Sequence, residues 1–263
     1  MTRFLVALLC LVVAGSALAA GVGPKLESAQ TNLGDRASLQ RGARLFLNHC
    51  ASCHSAGYVR YSRMAKDLGL LDAGLSEAEI QQSLNFTGAK FGEPITVAME
   101  SVDATEWFGA AAPDLSLTAR AKHGGVDWIY TYLKSFYFDE QRPLGWNNTV
   151  LPGASMPHVL WELQGVQRLV TEAKQVGADG QPEPCHTVEI DGMCFVRFEL
   201  SQAGRSSAQE YEHTIRDIAN FMDYMAEPAG IVREQYGVWV LLFLSFFTLI
   251  AYFLYQEYWR DVH

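Results

Sequence analysis

Apolar positions recur at helical spacing through "SLQRGARLFLNHC", which places Leu39, Ala43, Phe46 and Cys50 on one face. The pattern predicts a helix starting near Asp35 or Ser38, either of which can cap it. A second start is written in "LSEAEIQQSL", where Ser76 and Glu79 form an S-x-x-E capping box. "GGVDWIYTYLKSFYF" predicts an amphipathic helix with Ile129, Leu133 and Phe136 in register, punctuated at its start by Gly124 and Gly125. "SAQEYEHTIRDIANFMDYMAEPAG" predicts another, with Tyr211, Ile215, Ile218, Met222 and Met225 on one face and Pro228 as the stop.

Between these helices the periodicity fails in informative ways. Residues 20–32 are aperiodic and read as an extended lead-in. "RPLGWNNTVLPGASMPH" is rich in Pro, Gly and Asn, which predicts a long ordered loop of the kind that often carries function. In 182–200 the pattern turns to β, with alternating and β-branched residues around Asp191-Gly192, a hairpin signal. A two-residue turn there sets Cys194 opposite Glu189 rather than Cys185, in conflict with a Cys185–Cys194 disulfide, which needs Cα atoms within about 7 Å. If that disulfide forms, a longer or bulged loop is expected. Glu93, Glu100, Asp103 and Glu106 occur without a basic residue between Glu93 and Gly109, a solvated face in preference to a docking surface.

The two ends are apolar in different ways. "MTRFLVALLCLVVAGSALAA" has one early charge, Arg3, a short apolar run and an A-x-A pattern, the marks of a secretory signal cleaved near Ala19. "GVWVLLFLSFFTLIAYFLY", 237–255, holds 19 residues without a charge and is about 28 Å long as a helix, enough for a membrane span. Flanking positive charges nearly balance, so orientation rests on the signal: large domain outside, short tail inside. The organisation read from the sequence is therefore a signal peptide at 1–19, a periplasmic domain at 20–230, and an anchor with a short cytoplasmic tail at 231–263. The fold class is mainly α with long loops, a small β segment and one C-terminal transmembrane helix.

Composition then narrows the partners. With 49% hydrophobic residues in 263, a sizeable core is available. Removing Arg3 with the signal leaves 19 basic against 29 acidic side chains, a net charge of about −10, which argues against nucleic acid and leaves two readings on charge alone, a basic protein partner or an acidity that only keeps the domain soluble. Export puts the cysteines in an oxidising compartment. Four remain after the signal and Cys10 are removed: Cys50 and Cys53, then Cys185 and Cys194.

The densest chemistry is "NHCASCHSAGYVRY". Cys50, Cys53 and His54 stand at i, i+3 and i+4, so a helical turn projects all three to one side. C-x-x-C-H is the signature of c-type haem attachment: the thiols become thioethers and the imidazole meets the iron. Zinc would need a fourth ligand at suitable spacing, and no βαβ pattern supports a thioredoxin-like pair. A haem that only carries electrons has its sixth position filled, and Met156, in the irregular loop and backed by Pro157, is the preferred candidate over Met64 and Met99. Met193, Met222 and Met225 belong to the β segment and a helical core face. His49, His123 and His158 compete for the same role, although a lone histidine is more often a surface or hydrogen-bonded one.

Several segments together carry a resemblance: "CASCHSAGYVRY", "APDLSLTARAKHGG", "MPHVLWELQG", "DIANFMDYMAEPAG" and the C-terminal span. Across the mature chain the sequence resembles the cytochrome c1 family, in its bacterial form. The resemblance implies one covalently bound haem c with Met156 as sixth ligand. It implies Pro113 packed on the haem and Trp128 at an aromatic position beside it. A basic residue before H-G-G meets a haem propionate in the family; here that position is Lys122, where relatives often have arginine, so Lys122 and Arg120 both remain candidates. It further implies a Rieske iron–sulfur protein as donor, a soluble or tethered c-type cytochrome as acceptor, a cytochrome b subunit and membrane lipid as neighbours, and a bacterial inner-membrane location. The chain would be a redox subunit of a quinol–cytochrome c reductase, not an enzyme alone. A tethered cytochrome shuttling to a terminal oxidase is the alternative, though shuttles have smaller domains and long linkers. A haem sensor or peroxidase would want an open sixth site.

Overall fold

The computed structural model describes residues 25–176, 181–183, 185 and 188–261. The expected signal peptide, 1–19, lies outside the described residues, as do residues 20–24 of the lead-in. The first helix, α1 (Arg36–His49), starts where the sequence says: the Asp35 carboxylate accepts from the Ser38 amide at 3.0 Å, and Leu39, Ala43 and Phe46 are buried. It packs on α8 (Ala208–Ala226), which buries Tyr211, Ile215, Ile218, Met222 and Met225 and is opened by a capping box between Ser207 and Glu210. The helices cross at Gly42, where a Cβ would stand 2.1 Å from the Asp217 carbonyl oxygen.

A polar network holds that crossing in register. Buried Asp217 accepts from Ser38 Oγ at 2.7 Å and from Arg41 Nε at 2.7 Å, while Asn220 Nδ2 donates to Ser38 Oγ at 3.0 Å and to the Asn32 carbonyl at 3.0 Å. The described part of the lead-in is extended. It is strapped across the helices by Glu27 N to Thr131 Oγ1, 2.8 Å, and Ala29 N to Asp127 Oδ1, 2.7 Å.

Past the haem-type motif come β1 (Ala56–Arg60), α2 (Tyr61–Asp67), α3 (Glu77–Leu84) with its Ser76/Glu79 box, β2 (Pro94–Ile95) and α4 (Ser101–Phe108). Glu93, Glu100 and Glu106 are exposed and Asp103 is half-buried, consistent with a solvated stretch, but Val102 and Trp107 are exposed beside them. After α5 (Thr118–Ala121), α6 (Gly125–Lys134) packs on α8, with the Tyr211 hydroxyl donating to the Leu133 carbonyl at 2.9 Å.

Three features depart from the sequence reading. The helix does not reach Phe136: it stops at Lys134, and the aromatic run enters β3 (Phe136–Phe138), where Phe136 stays buried. Aromatic residues favour extended backbone, and β4 (Trp146–Asn148), inside the expected loop, supplies the partner strand. Beyond α7 (Trp161–Gln164), a strand the sequence did not reveal, β5 (Gly165–Glu172), pairs along its length with β7 (Met193–Ala203), and β6 (Glu189–Ile190) adds the third strand. The described chain is thus helical at its core but carries more sheet than "mainly α with a small β segment" allowed.

The third departure concerns the hairpin. Asp191 and Gly192 take φ of +50° and +80° in a two-residue turn, Glu189 lies opposite Cys194, and Cys194 is still bonded to Cys185, with Cα atoms 5.3 Å apart. No longer loop is needed. β6 has only two residues, Glu189 and Ile190, so its ladder register does not extend to Cys185.

After a three-residue link, α9 (Gly230–Trp259) continues to the C-terminal end. Its stretch Gln235–Trp259 is long and apolar enough to span a membrane, and none of that stretch is buried against the rest of the chain.

Candidate functional site

Cys50 caps the C-terminus of α1, and the chain keeps turning: the Cys53 and His54 amides both donate to the Cys50 carbonyl, at 3.1 and 2.9 Å. This gathers Cys50, Cys53 and His54 into one turn. Neither thiol is in a disulfide, whereas the other described cysteines, Cys185 and Cys194, are paired. Burial, assisted by Cys53, pushes the Cys50 thiol up to about 12.

His54 is tied by one ring nitrogen. Its Nδ1 lies 2.7 Å from the Pro113 carbonyl, which can only accept, so Nδ1 carries the proton and Nε2 keeps a lone pair. Burial lowers its pKa, while the Pro113 carbonyl and Asp114 act in the opposite sense. The next residue fixes this strap: Asp114 accepts from Ser55 Oγ and the Gly57 amide, each at 2.7 Å, and from the Ser116 amide at 2.8 Å. Burial works to raise the Asp114 carboxyl, but the bonds from Ser116, Ser55 and Gly57 together hold it below its ordinary value.

A second group assembles on α6 and the Met156 loop. Lys122 Nζ sits 4.6 Å above the Trp128 ring, Trp128 stacks on Tyr132 at 4.8 Å, and the Tyr132 hydroxyl donates to Met156 Sδ at 3.6 Å. The fold therefore joins Lys122, Trp128 and Met156 through Tyr132, whose hydroxyl pKa is raised by burial. Tyr132 was not singled out in the sequence; its position four residues after Trp128 on one helix face is the signal that marks it. Arg120 stands apart, paired with Glu227.

The rival ligands have other surroundings. Met64, Met222 and Met225 are core residues, Met193 sits in the β7 hairpin, and Met99 is half-buried. His123 is exposed and His49 half-buried. His158 is buried, stacked on Phe136 at 5.0 Å and edge-on to Trp146 at 5.2 Å, and burial pushes its pKa down to about 4 against an opposing effect of Gln164. Among the described residues, no group of three or more His, Cys, Asp or Glu side chains is placed to hold a bare metal ion.

Two thiols outside any disulfide and an imidazole with one committed nitrogen, plus a thioether that accepts a hydrogen bond from a tyrosine, form a donor set that suits haem. With the apolar helix α9, they define the class: a haem-carrying electron-transport protein fit for membrane anchoring. The sequence model of the Cytochrome C1 family matches residues 28–167 and 204–262. Similar proteins include the cytochrome c1 of Allochromatium vinosum, 46% identical over the full length of both chains. The ammonia monooxygenase gamma subunit of Nitrosomonas europaea is 38% identical over 91% of this chain and 89% of its own. The cytochrome b/c1 of Bradyrhizobium diazoefficiens is 25% identical over 87% of this chain but only 34% of that longer protein. The chain belongs to the cytochrome C1 family, the haem proteins of cytochrome bc1 electron transport. Residues 168–203, between the two matched stretches, make up most of the β5–β7–β6 sheet.

Proposed function

We propose that this chain is the electron-transfer subunit of a quinol–cytochrome c reductase; Cys50 and Cys53 would hold one haem c as thioethers, and His54 and Met156 are the residues that would ligate its iron. The observation that carries the reading is His54 Nδ1 donating to the Pro113 carbonyl at 2.7 Å, which aims the remaining nitrogen, Nε2, at ligation. Bound haem supplies a reversible one-electron iron couple. The chain's own residues determine what that couple is used for. Met156, a soft thioether, would favour the reduced state of the iron it ligates and would leave no open site for small molecules, which disfavours sensor or peroxidase chemistry. Pro113, whose carbonyl holds His54, and Trp128, which stacks on Tyr132, are the residues that would pack on the bound ring. Lys122 is assigned to a propionate, because Arg120 is already engaged by Glu227.

The donor in this reading is a Rieske iron–sulfur protein and the acceptor a soluble or tethered c-type cytochrome, drawn by the acidic surface. A cytochrome b subunit lies beside the anchor, a placement supported by the name of the longer relative, cytochrome b/c1. Residues 1–19 are cleaved on export, the haem domain is periplasmic, and α9 crosses the bacterial inner membrane once. The name of the Nitrosomonas relative supports a second reading, service to a monooxygenase assembly. Purification from native membranes in mild detergent, with identification of co-purifying chains, separates the two. Cytochrome b and a Rieske protein, with quinol-driven haem reduction blocked by a quinol-site inhibitor, are the expected result; a monooxygenase, an oxidase or the haem protein alone overturns it.

A further inference from the structure

We infer that Arg142 and Asn147, both on the β3–β4 hairpin, are positioning residues that set Met156, an inference that rests on the reading of Met156 as the axial thioether. A thioether is neutral and a weak donor, so no charge draws it toward iron; its place has to be built by the protein. Residues 149–157 have no regular secondary structure to do this. The hairpin supplies the frame instead. Arg142 Nη2 donates to the Gly153 carbonyl at 2.7 Å and reaches the Ala154 carbonyl at 3.5 Å. Asn147 Oδ1 accepts from the Gly153 amide at 2.8 Å, and its Nδ2 donates to Asp139 Oδ2 at 2.9 Å. Gly153 is thus held on both its amide and its carbonyl, three residues before Met156.

The held point is itself a turn. The Ala154 amide donates to the Leu151 carbonyl at 3.2 Å around Pro152 and Gly153, and Gly153 takes φ of +78°, which favours glycine in that place. Asn148, fully buried, ties the root of the loop by accepting from the Val150 amide at 2.8 Å and donating to the Tyr132 carbonyl at 2.8 Å. Tyr132 is the residue that donates to the Met156 sulfur, so hairpin, loop and α6 close one circuit. Arg142 Nε is buried without a hydrogen-bond partner in the structure.

The test uses the full chain in native membranes, with Arg142→Gln, Arg142→Lys and Asn147→Ala. Arg168→Gln is the control: Arg168 lies over the Phe138 ring at 5.1 Å, so it removes the same charge beside the same hairpin without touching the loop. Readouts are the near-infrared methionine-to-iron band of the oxidised protein, carbon monoxide binding by the reduced protein, and the reduction potential. Arg142→Gln and Asn147→Ala are expected to lose the band, to gain carbon monoxide binding and to lower the potential at unchanged haem content. Arg142→Lys, which can still donate to one carbonyl, recovers part of each, and Arg168→Gln changes none. Arg142→Gln and Asn147→Ala proteins with wild-type band and potential overturn the inference, as does an equal shift in Arg168→Gln or haem-free protein from both Arg142 variants and Asn147→Ala. A wild-type protein that already lacks the band refutes Met156 ligation itself, a failure distinct from the others.

Discussion

Asp114 does more for the site than its exposed position suggests, because three bonds from Ser55, Gly57 and Ser116 join the strap under His54 to the cysteine turn. Asp114→Ala is expected to cost about 1 kcal/mol, read as a lower denaturation midpoint, and to loosen the Pro113 carbonyl that orients His54. The carboxyl is held below its ordinary 3.8, so its folded pKa is depressed. Its contribution is therefore full above about pH 4 and is lost as pH falls through the lower folded value; in Asp114→Asn that acid-side component disappears from the stability profile. At this scale Cys50, Cys53 and His54, which the fold gathers into one turn, stood out from their spacing, while Met156 was a candidate from its loop and was preferred through the resemblance. Tyr132 and Arg142 could not, since an aromatic on a core-facing helix and an arginine in a loop each look ordinary until distant segments meet.

Among the elements, the crossing of α1 and α8 is the tightest joint. Gly42→Ala places a methyl against backbone that has no rotamer to yield, and is expected to destabilise by about 3 kcal/mol, a fall of roughly 6–12 °C in melting temperature. Both helices, and the caps at Asp35 and Ser76, were legible because helix formation writes a local period and local end signals into the chain. The β5–β7 pairing was not legible, because its register joins residues as far apart as Gly165 and Ala203 and no short window contains both. β5 is half-buried along most of its length, so it lacks the clean alternation of a one-sided strand. The hairpin and the disulfide seemed incompatible only while β6 was pictured as longer than two residues.

For the molecule as a whole, two charges of one sign meet one of the other at the root of the anchor: Glu227 pairs with Arg120 from α5 and with Arg233 from the first turn of α9. Glu227→Gln is expected to leave haem content unchanged but to broaden the distribution of haem-plane angles to the membrane normal, measured by electron paramagnetic resonance on oriented membranes. With 29 acidic against 20 basic side chains, electron transfer to a basic c-type cytochrome should slow steeply as salt rises from 10 to 150 mM, as the screening length shrinks from about 30 to about 8 Å. The short link has its own consequence. Only Glu227, Pro228 and Ala229 separate α8 from α9, a reach of about 10 Å at full extension, and Gly230 already packs against Leu33. In the proposed reductase, a head on so short a stalk would sweep almost no volume and would act as a fixed station rather than a ferry: the travelling in each turnover would fall to the donor that arrives and the acceptor that departs.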